Sequence, residues 1–495
     1  MIKERLIRIF YGVFAVCFSL VFITALFQNP SFKPQWLIPA TLATLVILSL
    51  IYCIIAKYET ALDKHYYKIL ICFAVVMLAV EIITGIILRY DPMWDVGAVQ
   101  KGAAEWADTG TFESYYPYFS GFPNNLGGMA FLTVFFKIAS VFGIRDYYAV
   151  GVVVTSLMSS ITIVLVSLIC RSLTNTRNAL FALVLFAVSA QYWFLGGAVY
   201  TDALTIMFPA LVFWLYLISK KQFGAKRIVT YLLMGFTAAI GSLVKFTVLI
   251  MLIAIVVDIC FNYKPKEILK AGVCFVGVVA VIMLSFNAYI YSNHLDRSVM
   301  KRESRPYMHW VMMGLNGSGR YNPSDYEFTD SIKDPVRKRK AVTEETFKRV
   351  KKLGISGIYN LAVKKSAIDF GDGTYGSTDF FWISPQNETK LHDWVIESEK
   401  HYKKYGTYTT AVQTVVILFM LIGAFMAILK KNEYSKKMFP LYLSVFGIWL
   451  FLMCWETNRR YFVNFAPIIL ICGIVSIDNI LLKTKYISQN KPLKN

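Results

Sequence analysis

The chain has 495 residues, 56% of them hydrophobic and only 17% charged. Apolar runs near twenty residues recur along it, the length that crosses about 30 Å of hydrocarbon at 1.5 Å per residue, so a soluble globular domain is excluded. The formal charge of +20 lies mostly in lysines and arginines between those runs. That placement orients a chain in a membrane and meets anionic headgroups, so no nucleic-acid surface is needed to explain it.

The first run, Leu6 to Phe27, is too long for the apolar stretch of a cleaved signal peptide. No small-residue cleavage site follows it, so it reads as a retained span. Twelve spans are expected in chain order, over 6–27, 36–56, 68–90, 147–170, 179–199, 202–218, 228–244, 246–262, 268–292, 408–430, 438–455 and 461–483. The fold class is an all-α polytopic membrane protein with interfacial juxtamembrane helices and a large external loop. The eight cysteines lie in or against the apolar runs without a CxxC spacing, as small buried hydrophobes do.

A thirteenth apolar stretch, Leu126 to Gly143, carries Lys137 in its middle. The basic connectors decide its role, because short cytoplasmic loops collect positive charge. These connectors are the N-terminus (Lys3, Arg5, Arg8), Lys57 to Lys68, Arg171 to Arg177, Lys220 to Arg227, Lys264 to Lys270, Lys430 to Lys437 and the tail from Lys483. All fall on one side if 126–143 does not cross, so it is expected to be an interfacial or re-entrant helix, with Lys137 reaching water or headgroups. The chain then divides into an N-terminal hairpin and its loop (1–67), a core (68–292) with a first external loop (91–146), a long external segment (293–407) and C-terminal helices with a tail (408–495). In the long segment a basic helix is expected, with Asp334 as N-cap, Pro335 in its first turn and Gly354 at its end. Val336, Phe347, Val350 and Leu353 give it a partial apolar stripe, suited to the membrane surface or the bundle, and a solvated basic face without function is the equal alternative.

Four charged clusters gather on the predicted outer face. "RYDPMWDVGAVQKGAAEW" places Asp91 and Asp95 where hydrocarbon gives way to water. Asp95 reads either as the N-cap of a flat helix or as a proton acceptor. "GGAVYTDALTIMFPAL" puts Asp202 at the tip of a helical hairpin, again a cap or a working acid. In "GSLVKFTVLI", Lys245 interrupts an apolar run, either snorkelling or neutralising a lipid-borne phosphate. "MCWETNRRYFVNFAPIIL" holds Glu456, Arg459, Arg460 and Tyr461 in one short connector, and guanidinium donors match phosphate oxygens in pairs. Two loop segments, Ser304 to Phe328 and Asp369 to Trp382, mix Gly, Asn, Asp and aromatic residues. They suit carbohydrate or an ordinary structured loop, with His309 and Trp310 as candidate sugar contacts. No metal-ligand spacing is present among the histidines.

The order of these elements resembles the GT-C superfamily of membrane glycosyltransferases, in the branch of protein O-mannosyltransferases and aminoarabinose transferases. "WDVGAV" stands where that branch begins its first large external loop with an acid, and "YYPYFSGFPNNLGGMAFLTVFFKIASVFGIRDYYAV" continues it. "YTDAL" matches the acid that opens a later span, "VKFT" the lysine motif, and "ETNRRYFVNFAP" the element before the last spans. The pattern covers residues 68 to about 470. It departs in having Val96 where a second carboxylate often follows, which leaves Asp91 to compensate or merely to end the span. The hairpin 6–56 has no counterpart in the core, and 293–407 resembles no known soluble domain.

The resemblance implies a sugar donor on polyprenyl phosphate and a cell-envelope glycan, lipid or protein as acceptor. Asp95 is then the general base of an inverting transfer, and Lys245, Arg459, Arg460 and Tyr461 bind the donor phosphate. Asp91, Asp202 and Glu456 remain as acid or acceptor-binding groups. No cofactor is assigned with it, and a divalent cation is left open. The expected location is the plasma membrane of a bacterium, with the site on the external face. The alternative is a transporter or flippase of lipid-linked sugars; its usual related halves and midplane polar residues are absent apart from Glu81. Sidedness has a direct check. In a cysteine-free background, Arg320→Cys is modified by an impermeant maleimide on intact cells and Phe223→Cys is spared; modification of the latter overturns the orientation.

Overall fold

The computed structural model describes residues 2–429 and 433–489. Lys430 to Asn432 of one basic connector, and the tail beyond Gln489, lie outside the described residues. Within them the only strand-like pairing is an isolated antiparallel bridge between Tyr90 and Pro385. Helices dominate because a backbone in hydrocarbon has no water to bond, and a helix satisfies its own N–H and C=O groups.

Nine described helices are long and apolar enough to cross a membrane: Ile2–Phe27, Pro34–Lys57, Tyr66–Ile87, Tyr147–Leu173, Thr201–Lys220, Gly224–Val244, Pro265–Asn293, Tyr402–Leu429 and Tyr434–Cys454. Three shorter apolar helices, Thr176–Val188, Phe246–Asn262 and Val463–Ile477, occupy the remaining expected spans. One expectation is corrected here. The run 179–199 is not a continuous span, because its helix stops at Val188 and the chain continues in two short turns, Ala190–Trp193 and Leu195–Gly197. The cause is close packing. A Cβ on Gly196 would lie 2.7 Å from the Glu81 carbonyl oxygen, and one on Gly197 3.3 Å from the Gly85 Cα. Apolarity alone could not distinguish this irregular, buried segment from a helix.

The buried side chains form one nearly continuous core. Tyr66–Ile87 and Thr176–Val188 both pack on Tyr147–Leu173, and Glu81, buried in the first of these, accepts a hydrogen bond from Ser159 Oγ at 2.8 Å. The N-terminal hairpin packs on Tyr402–Leu429, and Asn29 in its turn donates to the Gly371 carbonyl at 2.5 Å. That hairpin therefore supports the C-terminal helices rather than standing apart from them.

In the long segment the basic helix begins as expected. Asp334 Oδ1 accepts from Arg337 N–H at 2.7 Å, and Pro335 opens the helix. Gly354 breaks it with φ 59° and ψ −172°, and a second helical stretch runs on to Asp369. Left-handed backbone of this kind favours glycine, which has no Cβ to clash.

The helix Leu126–Val141 has 16 residues, short of a span, and packs between Trp94–Thr109 and Gly224–Val244. Lys137 does not simply reach out to water. Its Nζ donates at 2.9 Å to the carbonyl of Ala107, in the last turn of the neighbouring helix, where backbone acceptors are unpaired and a cation is favoured. At the other end, Gly127 abuts the Leu243 carbonyl so closely that a Cβ would overlap it, and a Cβ on Gly128 would lie 2.8 Å from the Thr201 methyl. These two glycines let one helix approach the elements carrying Asp202 and Lys245 together. Gly127→Ala should therefore destabilise the protein by about 1–3 kcal/mol, the usual result of overpacking. Gly143→Ala, near no other atoms but at φ 77°, should cost about 1 kcal/mol or less from backbone strain. Thermal unfolding in detergent compares the two.

Candidate active site

Asp95 stands in the first turn of the helix Trp94–Thr109, but it is not the cap. Met93 holds the N-cap position, with extended backbone. The capping role considered for Asp95 is therefore corrected, and its carboxylate is free to face elsewhere while keeping the favourable field of a helix N-terminus. Asp95 Oδ1 accepts from the Tyr118 hydroxyl at 2.7 Å, and that hydroxyl in turn accepts from Asn125 Nδ2 at 2.6 Å. Residues 116–125, the continuation of the same loop, thus orient the acid. Trp94 beside it has φ 50°, and the non-glycine residues Tyr375 and Ser384 also have positive φ. Strain of this kind persists where surrounding structure enforces it, often around functional clefts.

Asp202 is not a cap either, since Tyr200 precedes its short helix in extended backbone. Asp202 is 5% exposed, and its carboxylate meets two basic side chains. Oδ1 pairs with Lys245 Nζ, and Oδ2 lies 3.2 Å from Arg460 Nε. Lys245 sits over the Tyr461 ring at 5.0 Å. Arg460 has its guanidinium carbon 5.2 Å from the Tyr200 ring and 5.3 Å from the Phe380 ring. The Nε–Oδ2 approach is close but off the hydrogen-bonding direction, so both atoms are buried without a hydrogen-bond partner among the described residues. Buried polar atoms are usually satisfied, so the arrangement has spare capacity for a polar ligand. Within this trio two basic side chains face one carboxylate.

Arg459, grouped with Arg460 by sequence, is committed elsewhere. It bonds Asp372 Oδ2 at 2.8 Å, Asp379 Oδ1 at 2.5 Å, Glu397 Oε2 at 2.9 Å and the Tyr402 hydroxyl at 3.0 Å. With its donors so occupied, it serves as a strut that fixes residues 372–402 against the connector, and its assignment as a phosphate ligand is corrected. Both arginines lie in a turn and border the same space, but Arg459 has its donors filled by acids and a hydroxyl while Arg460 Nε does not.

Asp95, Asp379, Glu397, Arg459 and Arg460 line one cavity of about 350 Å³, with Trp94 and Trp382 also in its wall. The two tryptophan rings are 5.5 Å apart. Sequence reasoning flagged the segment Asp369 to Trp382 without singling out Asp379 or Trp382, and it missed Glu397. The signal lay in "DFGDGTYGSTDFFW", whose residues from Asp369 to Phe381 are almost wholly buried, a strange place for so polar a stretch unless partners await it.

Other candidates lie apart. Asp91 pairs with Lys101 at 2.9 Å in an exposed position, and its N–H bonds Ser384. It ends the span rather than joining Asp95. His309 is buried against Thr329 Oγ1 at 2.8 Å, and burial followed by the Arg305 charge pushes its imidazole down to about 4. It is a core residue, which corrects its assignment as a sugar contact. Trp310 packs toward Trp455 and Phe122 at ring separations of 6.1 and 6.5 Å and is not in the cavity wall. Among the described residues no three His, Cys, Asp or Glu side chains gather as a metal site.

A family model described as "Conserved hypothetical integral membrane protein" matches residues 1–481, and the chain belongs to that family. No curated protein matches the sequence. Among solved structures, the chain is similar to the archaeal oligosaccharyltransferase AglB from Archaeoglobus fulgidus in complex with an inhibitory peptide and a dolichol-phosphate. Identity is 13% and TM-score 0.47, covering 88% of this chain and 53% of that one. The A. fulgidus oligosaccharyltransferase tethered to an acceptor peptide containing the NVT sequon gives 13% identity and TM-score 0.44, over 85% and 51% of the two chains. The chain thus spans about half the length of these proteins.

Glu456 gives the site a pH signature. Burial is the main cause of its raised pKa and the Asp95 charge adds to it, against the opposing pull of Arg460, so the carboxyl stands at about 7 instead of 4.5. The folded state holds this proton more tightly than the unfolded chain does. The stabilisation is therefore complete below pH 4.5 and is lost as pH rises through about 7. Glu456→Gln should flatten that part of the curve of melting temperature against pH in detergent. A variant with the wild-type slope removes Glu456 from the titration.

Proposed function

We propose that the protein is a membrane glycosyltransferase of the GT-C type, moving a sugar from a polyprenyl-phosphate donor to a cell-envelope acceptor at the outer face of a bacterial plasma membrane. The observation that supports it best is the cavity wall itself, where a carboxylate, Asp95, and a guanidinium with unfilled bonding capacity, Arg460, line the same 350 Å³ space. A donor whose tail lies in lipid has its phosphate fixed at the end of the bundle, which explains why the reactive groups gather there and not at its midplane.

In this reading the acceptor hydroxyl attacks the anomeric carbon on the face opposite the phosphate. The new bond joins the acceptor oxygen to the anomeric carbon while the bond from that carbon to the phosphate oxygen breaks, and configuration inverts. The hydroxyl proton passes to the Asp95 carboxylate, which Tyr118 and Asn125 hold in place. The electron pair departs with the phosphate, and Arg460 stabilises the charge that develops there. Asp202 and Lys245 act through Arg460, which they position. Asp379 and Glu397, anchored by Arg459, present acceptors to sugar hydroxyls, and Trp94 and Trp382 offer ring faces.

Asp95→Asn preserves side-chain volume and cannot accept the proton. Purified protein in liposomes carrying radiolabelled polyprenyl-phosphate sugars should fold normally and lose about 10²- to 10⁴-fold in transfer, the usual contribution of a general base. Arg460→Lys should rescue poorly relative to wild type, because an ammonium cannot reproduce the planar fork. Near-normal transfer by well-folded Asp95→Asn protein sinks the assignment, and donor crossing without transfer favours a flippase.

A further inference from the structure

We infer that residues 347–362 form an anionic-lipid anchor, a built elbow that rests in the headgroup layer beside the bundle. The basic helix turns at Gly354, where φ is 59°. Around this turn the side chains project almost free of the protein: Phe347 is 66% exposed, Ile355 92% and Tyr359 58%. Ile355, Ile358, Tyr359 and Ala362 fall at helical spacing on one stripe. Exposed large apolar groups in such a cluster mark a surface that meets another apolar phase.

The position of the elbow says which phase. Downstream the same helix becomes buried, and Ser366 Oγ accepts a hydrogen bond from Trp449 Nε1 at 3.3 Å. Trp449 lies a little over one turn inside the end of the span Tyr434–Cys454, roughly 8 Å from that end at 1.5 Å per residue. Phe370 reaches Phe18 of the first span at 5.9 Å. The helix therefore docks at the rim of the membrane-crossing bundle, and its exposed start lies at the boundary between lipid and water.

Charge selects the lipid. The eleven residues 353–363 carry no charge, and Lys351, Lys352 and Lys364 bracket them. No Asp or Glu occurs between Glu345 and Lys364. Among the described residues Lys351 and Lys352 have no ion-pair partner, and Lys348 has only Glu345 at 3.4 Å. An apolar stripe with lysines above it fits acyl chains below and anionic headgroups around, as interfacial helices do. This inference does not depend on the reaction carried out in the cavity.

Spin labelling tests it on the full chain in a cysteine-free background, reconstituted into phosphatidylcholine vesicles with or without phosphatidylglycerol. A label at Ile355→Cys should be reached by oxygen and sheltered from a water-soluble nickel chelate, with the reverse at Arg339→Cys. Phosphatidylglycerol should raise the melting temperature of wild type above its value in phosphatidylcholine alone. The triple variant Lys348→Gln, Lys351→Gln, Lys352→Gln should lose at least half of that increment while melting normally in phosphatidylcholine. Nickel access at 355, an undiminished increment, or spin–spin broadening that shows a second copy on the elbow each overturns the proposal.

Discussion

The cluster of Asp202, Lys245 and Arg460 is the constraint around which the rest is arranged. A buried carboxylate such as that of Asp202 in an apolar bundle is tolerable only with cations in place, because removing one partner from a buried pair strands the other charge. Each partner comes from a different element: Asp202 from the start of one span, Lys245 from the break between two helices, and Arg460 from the connector before the last helix. The glycines at 127 and 128 press a further helix against two of those elements. Lys365 grips the third, its ammonium donating to the carbonyls of Gly314, Met453 and Trp455.

How much of this is legible in the sequence follows from which physical signals are local. A run of twenty apolar residues is local, so the helical membrane class and most helix positions can be read directly. Asp334, Pro335 and Gly354 mark a helix start and a break for the same reason, since capping and left-handed backbone depend on one or two residues. The broken segment 189–200 defeats the reading because its irregularity comes from glycines meeting Glu81 and Gly85, which are distant in the chain.

The site divides in the same way. Asp95, Asp202, Lys245, Glu456 and Arg460 announce themselves as charges that interrupt apolar surroundings, and the fold gathers them at one end of the bundle. Arg459 shows the limit. Nothing local says that its donors are taken up by Asp372, Asp379 and Glu397 while Arg460 beside it keeps an unfilled one. Those acids lie within a long polar segment where charge is unremarkable, so only their shared partner Arg459 reveals them. His309 misleads in the opposite sense, a polar aromatic residue in a promising context that proves to be packed against Thr329.

The pairing of Asp202 with Lys245 bears on the order in which the chain enters the bilayer. Both residues lie in the first half of the chain, and the ion pair itself draws no atom from the final third, although Tyr461 and Arg460 cover it in the complete fold. A carboxylate inserted alone into a membrane is costly, whereas one that meets its ammonium soon after leaving the ribosome is sheltered during biogenesis. Arg460 arrives only when the last helices are synthesised and docked. The guanidinium in the cavity wall is thus the last of the three charges to be synthesised, and until then the carboxylate has its ammonium as the one partner already made.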